Sequence, residues 1–368
     1  MHLAAEKNNL DIISLLFAQK NIEIGPGCFM KCFKLTKIVI PSSITIIEEE
    51  TFYYCTSLRH VIIPSSVTTI KKNAFRECCN LSKIEIPSSV TSIEKFAFFG
   101  CGSLTEIKLP PSLKKIELYT FNYCASLKEI TIPSSVEVIE SYAFEKCKSL
   151  TQITIPPLVT EICENAFFDC SSLKQVFMPS SITSIGEEAF CRCSSLTEIS
   201  FYSIDQKANK IPSSVNRIGR GCFCSCCSLK QITIPSSINE IGECSFNDCS
   251  SLTEMTIPSS VTKIEQGAFQ DCTSLVKITI PSSVTEIGKN AFDGCSSLEH
   301  IDIPPIASIG DFFFFGCSSL KQIIIPPSVK TIGNYVFEEC SSVIEITIPS
   351  SVTSIGELIF HKCTSLKK

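Results

Sequence analysis

From about residue 24 onward, apolar and polar positions recur with one fixed period. A typical unit runs from Ser251 to Cys272 and reads SLTEMTIPSSVTKIEQGAFQDC. Leu252, Met255 and Ile257 form an L-x-x-I-x-I pattern, and the alternation Met255-Thr256-Ile257 predicts a short strand. Pro258-Ser259-Ser260 ends that strand, because proline cannot donate to a ladder and serine favours turns. Val261 and Ile264 predict a second, shorter extended segment. Gln266-Gly267-Ala268-Phe269 predicts one helical turn ending near Cys272. A unit this short cannot bury its own apolar face. Stacking buries it, with Leu on Leu, Ile on Ile, Phe on Phe and Cys on Cys through the array.

The period is strict. Cysteines of a Phe-x-x-Cys motif recur every 23 residues from Cys32 to Cys193, then continue at Cys226, Cys249, Cys272, Cys295, Cys317, Cys340 and Cys363. Of the 23 cysteines, 15 fall in this column, and 18 of the 19 prolines fall at the strand end, so neither residue type is scattered. About fourteen complete units are counted, followed by an incomplete one.

The L-x-x-I-x-I motif, seen at Leu127 to Ile132 and Leu275 to Ile280, resembles the strand signature of the leucine-rich repeat. The full unit, I-P-x-x-V-x-x-I-G-x-x-A-F-x-x-C, resembles the BspA-like subclass known from surface antigens of bacteria and protists. The likeness covers roughly residues 24–368. It implies a right-handed curved solenoid with parallel strands lining the concave face, and short second strands and helical turns on the other side. It also implies protein binding or adhesion, and no enzymatic activity.

Residues 1–23 are different. Met1-His2-Leu3-Ala4-Ala5 followed by Asp11-Ile12-Ile13-Ser14-Leu15-Leu16 resembles part of an ankyrin repeat, without the T-P-L that normally precedes the His. Two short helices are expected, near residues 2–8 and 11–19, as a cap over the first rung. The chain reads as descended from, or a fragment of, a longer ankyrin and leucine-rich protein. At the other end, Thr364 to Lys368 stops inside the fifteenth strand with no polar capping unit. The last rung is therefore expected to expose its stacking face and a strand edge.

Composition narrows the function classes. The net charge is −5 and only 19% of residues are charged, which gives no electrostatic reason to bind nucleic acid or an acidic membrane. No stretch reaches 18 apolar residues, so no transmembrane helix is expected. Met1 to Lys20 lacks the basic start of a signal peptide. An odd total of cysteines in a long chain fits a reducing compartment. These features point to the cytoplasm, whereas the family resemblance points to the cell surface.

Catalytic chemistry is not legible. His2, His60, His300 and His361 lie many rungs apart, and Glu85 and Asp302 do not form a carboxylate pair. There is no Gly-rich phosphate loop and no G-x-S-x-G. Cys222, Cys224, Cys226 and Cys227 suggest a metal site at first. Yet Cys226 belongs to the Cys column and Cys222 to the Ala column, both buried by expectation. Only Cys224 is variable, and its neighbour one rung earlier is Cys191, close enough to bridge or share a metal. No pair of C-x-x-C motifs with zinc spacing exists, so no metal and no cofactor is assigned. The column thiols are expected to be buried and to donate weakly to a carbonyl of the neighbouring turn.

The expected partner is therefore a protein rather than a small molecule. On the strand, the residue between the two Ile columns should point to the concave side. Down the array it reads Val39, Ile62, Glu85, Lys108, Thr131, Thr154, Phe177, Ser200, Thr233, Thr256, Thr279, Asp302, Ile324 and Thr347. Val39, Ile62, Phe177 and Ile324 are the apolar exceptions and the candidate anchors, Phe177 foremost. A competing candidate is the turn Phe312, Phe313 and Phe315 around the column residue Phe314, which follows a one-residue deletion at Pro304-Pro305; the three extra rings read equally as a contact patch or as refilling a core rung disturbed by the deletion. Residues Tyr202 to Ile211 are an insertion, expected as a loop on one rim that folding does not require. Two alternatives to an adhesion module are a cytosolic ankyrin and leucine-rich scaffold, and a gene fragment without a selected ligand.

Overall fold

The structure is a computed structural model, and it describes residues 2–7, 9–17, 23–201 and 210–367. The chain divides into two compact units, residues 1–181 and 182–368. Each is a parallel β-solenoid with almost no helix.

In the first unit, helix α1 (His2–Glu6) packs against helix α2 (Leu10–Phe17). Asn9 caps α2, its Oδ1 accepting the N–H of Ile12 at 3.1 Å. Helix α1 is shorter than the sequence suggests, α2 starts one residue earlier, and the expected end of the second helix at residues 18–19 lies outside the described residues. Phe17 meets Phe29 edge-on at 6.2 Å, so α2 covers the first ring of the aromatic column.

Beyond it, three-residue strands recur one period apart: Lys37–Val39, His60–Ile62, Lys83–Glu85, Glu106–Lys108, Glu129–Thr131 and Gln152–Thr154. They pair in parallel and in register, Lys37 with His60 and Val39 with Ile62, because each rung returns the chain to the same point. The middle residue is buried and its two neighbours are exposed, as the strand period of two demands. Two-residue strands such as Thr69–Ile70 and Ser92–Ile93 form a second parallel ladder.

The expected helical turn is not helical. Between Lys71 and Cys78 the amides alternate in their targets. Ala74 N–H reaches Lys71 O at 3.2 Å and Arg76 N–H reaches Asn73 O at 3.1 Å, closing tight turns. Phe75 N–H instead reaches Ala97 O at 2.9 Å and Glu77 N–H reaches Phe99 O at 2.7 Å, both in the next rung. An α-helix directs its amides to its own i−4 carbonyls and leaves none for a neighbour. The stack requires cross-rung bonds, so the segment becomes consecutive turns with Asn73 and Glu77 left-handed, at φ of 57° and 61°.

The interior follows the columns. Phe29, Phe52, Phe75, Phe98, Phe121 and Phe144 stack nearly parallel at 5.2 to 5.7 Å. The buried column thiols each donate to the Phe carbonyl of the preceding rung, Cys78 to Phe52 O at 3.1 Å and Cys101 to Phe75 O at 3.2 Å, as the sequence suggested. The second serine of the Pro-Ser-Ser turn does the same on the other edge, Ser89 Oγ donating to Val67 O at 2.7 Å.

The second unit repeats this plan with two interruptions. The insertion is not all loop. Residues 202–209 lie outside the described chain, but Lys210 bridges Thr233 and donates its N–H to Ile199 O at 3.3 Å, while Ile211 is fully buried. Lys210 and Ile211 thus add a strand layer beside Glu198–Phe201 in one ladder. The other ladder pairs Ser184–Ile185 directly with Arg217–Ile218 and gains nothing.

At the deletion, Ile306 N–H bonds to Pro304 O at 2.7 Å, a tighter turn than Val261 N–H to Pro258 O at 3.0 Å. No strand forms at Ile301 to Ile303, and only Lys277 bridges His300. In the last complete rung Ile355 and Leu358 are about half exposed, at 49% and 54%, where the equivalent isoleucine one rung earlier, Ile332, is buried.

Candidate interaction surface

The strands present one outward face in each unit, and its chemistry follows from the residues between the buried isoleucines. Val39 and Ile62 sit opposite each other on paired strands, each 51% exposed, and form a small apolar patch. Toward the middle of the first unit the face becomes charged. Lys83, Glu85, Glu106, Lys108, Glu129 and Thr131 line an open depression between rungs. Lys83 Nζ meets Glu106 Oε1 at 2.9 Å, but both side chains are more than half exposed, so solvent screens the pair and it adds little to stability. Phe177, opposite Thr154, is only partly exposed, which makes it a weaker anchor than a free aromatic in a Thr column.

In the second unit Ile324 is the most exposed of the four, at 67%, beside Thr347. Ser200 departs from the sequence expectation. It is 4% exposed, and its hydroxyl has no partner among the described residues. The added layer is the reason: Lys210 takes the outward position opposite Thr233.

The aromatic turn also differs from expectation. Phe313 is fully buried, because it fills the Ala column rather than an outward position. Its ring stands edge-on to Phe292 at 5.5 Å and to Phe314 at 4.7 Å. It fills core in the shortened rung and drops out as a contact residue. Phe312 and Phe315 remain partly exposed, Phe312 stacking on Tyr335 at 4.8 Å.

A second aromatic surface was missed by motif reading. Phe96, Tyr119 and Tyr142 stack along the turn face of the first unit at 4.8 and 4.6 Å. Phe99 and Tyr123 flank them, and the Arg76 guanidinium lies 4.5 Å over Phe99. The signal is present as a 23-residue spacing among variable turn positions.

Titratable groups are dispersed. Among the described residues no three His, Cys, Asp or Glu side chains converge as metal ligands. No described helix is long and apolar enough to cross a membrane. Burial pushes column thiols such as Cys101 and Cys295 well above their ordinary range, which makes them inert. Cys224 and Cys191 differ. They share a hydrogen bond that lowers Cys224 and raises Cys191, and Cys224 reaches solvent.

Comparison with known proteins agrees with the columns. The chain is similar to a leucine-rich repeat protein from Bacteroides ovatus, with 26% identity over 94% of this chain and 81% of that one and a TM-score of 0.65. It is also similar to a leucine rich cell surface protein from Faecalibacterium prausnitzii, with 31% identity over 93% of this chain and 81% of that one and a TM-score of 0.45. No curated protein matches. The family model for the BspA type leucine rich repeat region matches residues 22–137, 114–209, 199–307 and 285–368. With strand, thiol and phenylalanine columns all in place, the chain belongs to the BspA-type leucine-rich repeat family.

Proposed function

We propose that this protein binds another protein on the outward face of its three-residue strands, without catalysis. One observation carries the reading. The paired Val39 and Ile62 are half exposed at positions that most other rungs fill with polar residues, chiefly Thr. An apolar pair on an otherwise polar ladder has no folding role and costs solubility, so contact with a partner is its use. Ile324 extends the same logic to the second unit, and Phe177 contributes in part. Membership of a repeat family built for extended contact supports the same reading.

The partner is a macromolecule, because in the first unit the depression on this face is open and spans three rungs, from Lys83 through Glu106 to Glu129, which suits an extended contact rather than a small ligand. Adhesion is one form of this activity and a scaffold is the other. The solvent-shielded thiols that donate to carbonyls support folding in a reducing compartment, which favours the scaffold. The helical pair at residues 1–23 is read as a partial ankyrin unit serving as a cap.

Affinity capture from source cells tests the reading. Native protein is compared with Val39→Thr/Ile62→Thr and with Phe312→Ala/Phe315→Ala. Partners held by native protein should be lost from the first variant, weakened by about 1 to 3 kcal/mol, and kept by the second. Retention by the first variant and loss from the second would move function to the aromatic turn.

A further inference from the structure

We propose that Cys191 and Cys224, on the turn face of the second unit, are a redox-active dithiol that closes to a disulfide by exchange with a low-molecular-weight disulfide. The geometry is set by the backbone. Arg192 N–H reaches Cys224 O at 2.7 Å and Phe190 N–H reaches Cys222 O at 2.9 Å, so the two cysteines stand in one column on adjacent rungs. The rings of Phe190 and Phe223, beside them, stack within 5° of parallel at 5.9 Å. Strand-like neighbours lie about 4.8 Å apart, inside the Cα range that a disulfide spans. The electrostatics of the pair follow this placement, with Cys191 lowering Cys224 and Cys224 raising Cys191.

Other cysteine pairs lack one requirement or another. Column thiols such as Cys226 and Cys249 are fully buried and committed to the carbonyls of Phe190 and Phe223, at 3.3 and 3.2 Å. Cys32 and Cys55 share a similar hydrogen bond, but neither has any exposed surface. Cys28, Cys79, Cys163, Cys227, Cys244 and Cys363 reach solvent, and burial raises each of them. Cys224 alone is both accessible and lowered. As a thiol Cys224 donates to Asn247 Oδ1; as a thiolate it is favoured by the Cys191 S–H and by the Ser225 hydroxyl, whose Oγ lies at 3.7 Å. Asn247 Oδ1 lies at 3.3 Å, and the carboxylates of Glu188 and Asp248 oppose the lowering without reversing it.

The exchange balances as follows. Cys224 thiolate attacks one sulfur of the small disulfide, forming a mixed disulfide and releasing one small thiolate. Cys191 then loses its proton and attacks Cys224 Sγ, forming the protein S–S bond and releasing the second small thiolate. Two electrons pass from the protein dithiol to the small disulfide, and the two cysteine protons end on the two small thiols. Cys191 is 6% exposed, so it resolves rather than initiates.

The test treats the reduced full-length chain with oxidised glutathione near neutral pH and maps its peptides without reduction. The expected product is a Cys191–Cys224 linked peptide with no retained glutathione. Cys191→Ser should stop at a stable glutathione adduct on Cys224, and Cys224→Ser should leave position 191 unmodified. In the reduced chain, iodoacetamide should label Cys224 about tenfold faster than Cys163 or Cys244. If Cys224→Ser lowers the melting temperature, Cys224→Ala replaces it, and unchanged melting qualifies either variant. A lasting glutathione adduct on Cys224 of native protein, or adducts spread evenly over the solvent-reaching cysteines, overturns the proposal.

Discussion

The same turn position is filled differently in the two units. In the first it carries Phe96, Tyr119 and Tyr142, stacked along the surface. In the second it carries Gly221, Cys244, Gly267 and Asn290 in four successive rungs before a stacked aromatic pair, Phe312 and Tyr335, returns. The backbone does not notice: φ is 60°, 58° and 59° at the three aromatics and 57°, 52°, 61° and 57° at the four others. A left-handed residue with a side chain costs about 1 kcal/mol or more, and glycine avoids that cost. Stacking worth roughly 0.5 to 1.5 kcal/mol per pair offsets it in the first unit. Cross-rung amide bonds and inward columns therefore dictate the turn. The outward residue is free, and different runs of rungs use that freedom for different chemistry.

If the inward columns rule both units alike, equivalent core truncations should cost the same. Phe98→Ala and Phe269→Ala are each fully buried between two stacked rings. Each should lose about 3 to 5 kcal/mol locally. Hydrogen exchange across the affected rungs reads the loss unit by unit. A cost confined to one unit breaks the comparison at its root.

Next in size are the column thiols. Cys124→Ala and Cys272→Ala remove a small buried group together with its bond to Phe98 O at 3.2 Å or Phe246 O at 3.1 Å. The carbonyl keeps one amide donor in each case, Cys101 N–H or Cys249 N–H, so the expected loss is about 1 to 2 kcal/mol by chemical denaturation. Native protein should also react slowly with a thiol reagent at these positions in both units, because burial holds the thiols protonated.

The inward columns were legible because a residue that stacks on its own kind must recur once per rung. Phe, Ala, Cys, Leu and Ile could be read by spacing alone. Three features were not. The helical turn failed because local pattern cannot reveal that half the amides are claimed by the next rung. Ser200 and Lys210 were misplaced because an inserted segment can add a layer to one ladder and leave the other unchanged. Phe313 was misread because a deletion shifts what fills a column, and only packing against Phe292 reveals it. Outward positions carry no repeat constraint, so the sequence ranked Phe177 first although it is only partly exposed, and passed over the Phe96 stripe altogether.

The turn position itself gives a smaller, paired effect. Gly267→Ala puts a Cβ at φ 61° and 3.2 Å from Cys244 Sγ, and should cost about 1 kcal/mol. Tyr119→Ala keeps the same left-handed cost while losing its contacts with Phe96 and Tyr142, for a similar loss of about 1 kcal/mol. Near-equal melting shifts from opposite changes would sharpen the view that stacking in one unit does what glycine does in the other. A silent Tyr119→Ala would mean that the stack stabilises nothing.

The smallest effect is spectroscopic and belongs to the first unit alone. Tyr142 Oη donates to Glu164 Oε1 at 2.6 Å, and this bond, with some burial, pushes the phenol up to about 12. Ultraviolet titration should therefore show one tyrosine ionising about two units later than an ordinary phenol near 10. Because the folded value is raised, its stabilising contribution is complete below the ordinary phenol range. That contribution is lost as pH rises from about 10 through 12, so nothing changes at neutral pH. Tyr142→Phe should remove the late transition, and Glu164→Gln should return it toward the ordinary range. If the late transition survives Tyr142→Phe, the raised phenol lies elsewhere, and the aromatic stripe is not the hydrogen-bonded surface that distinguishes this unit from its partner.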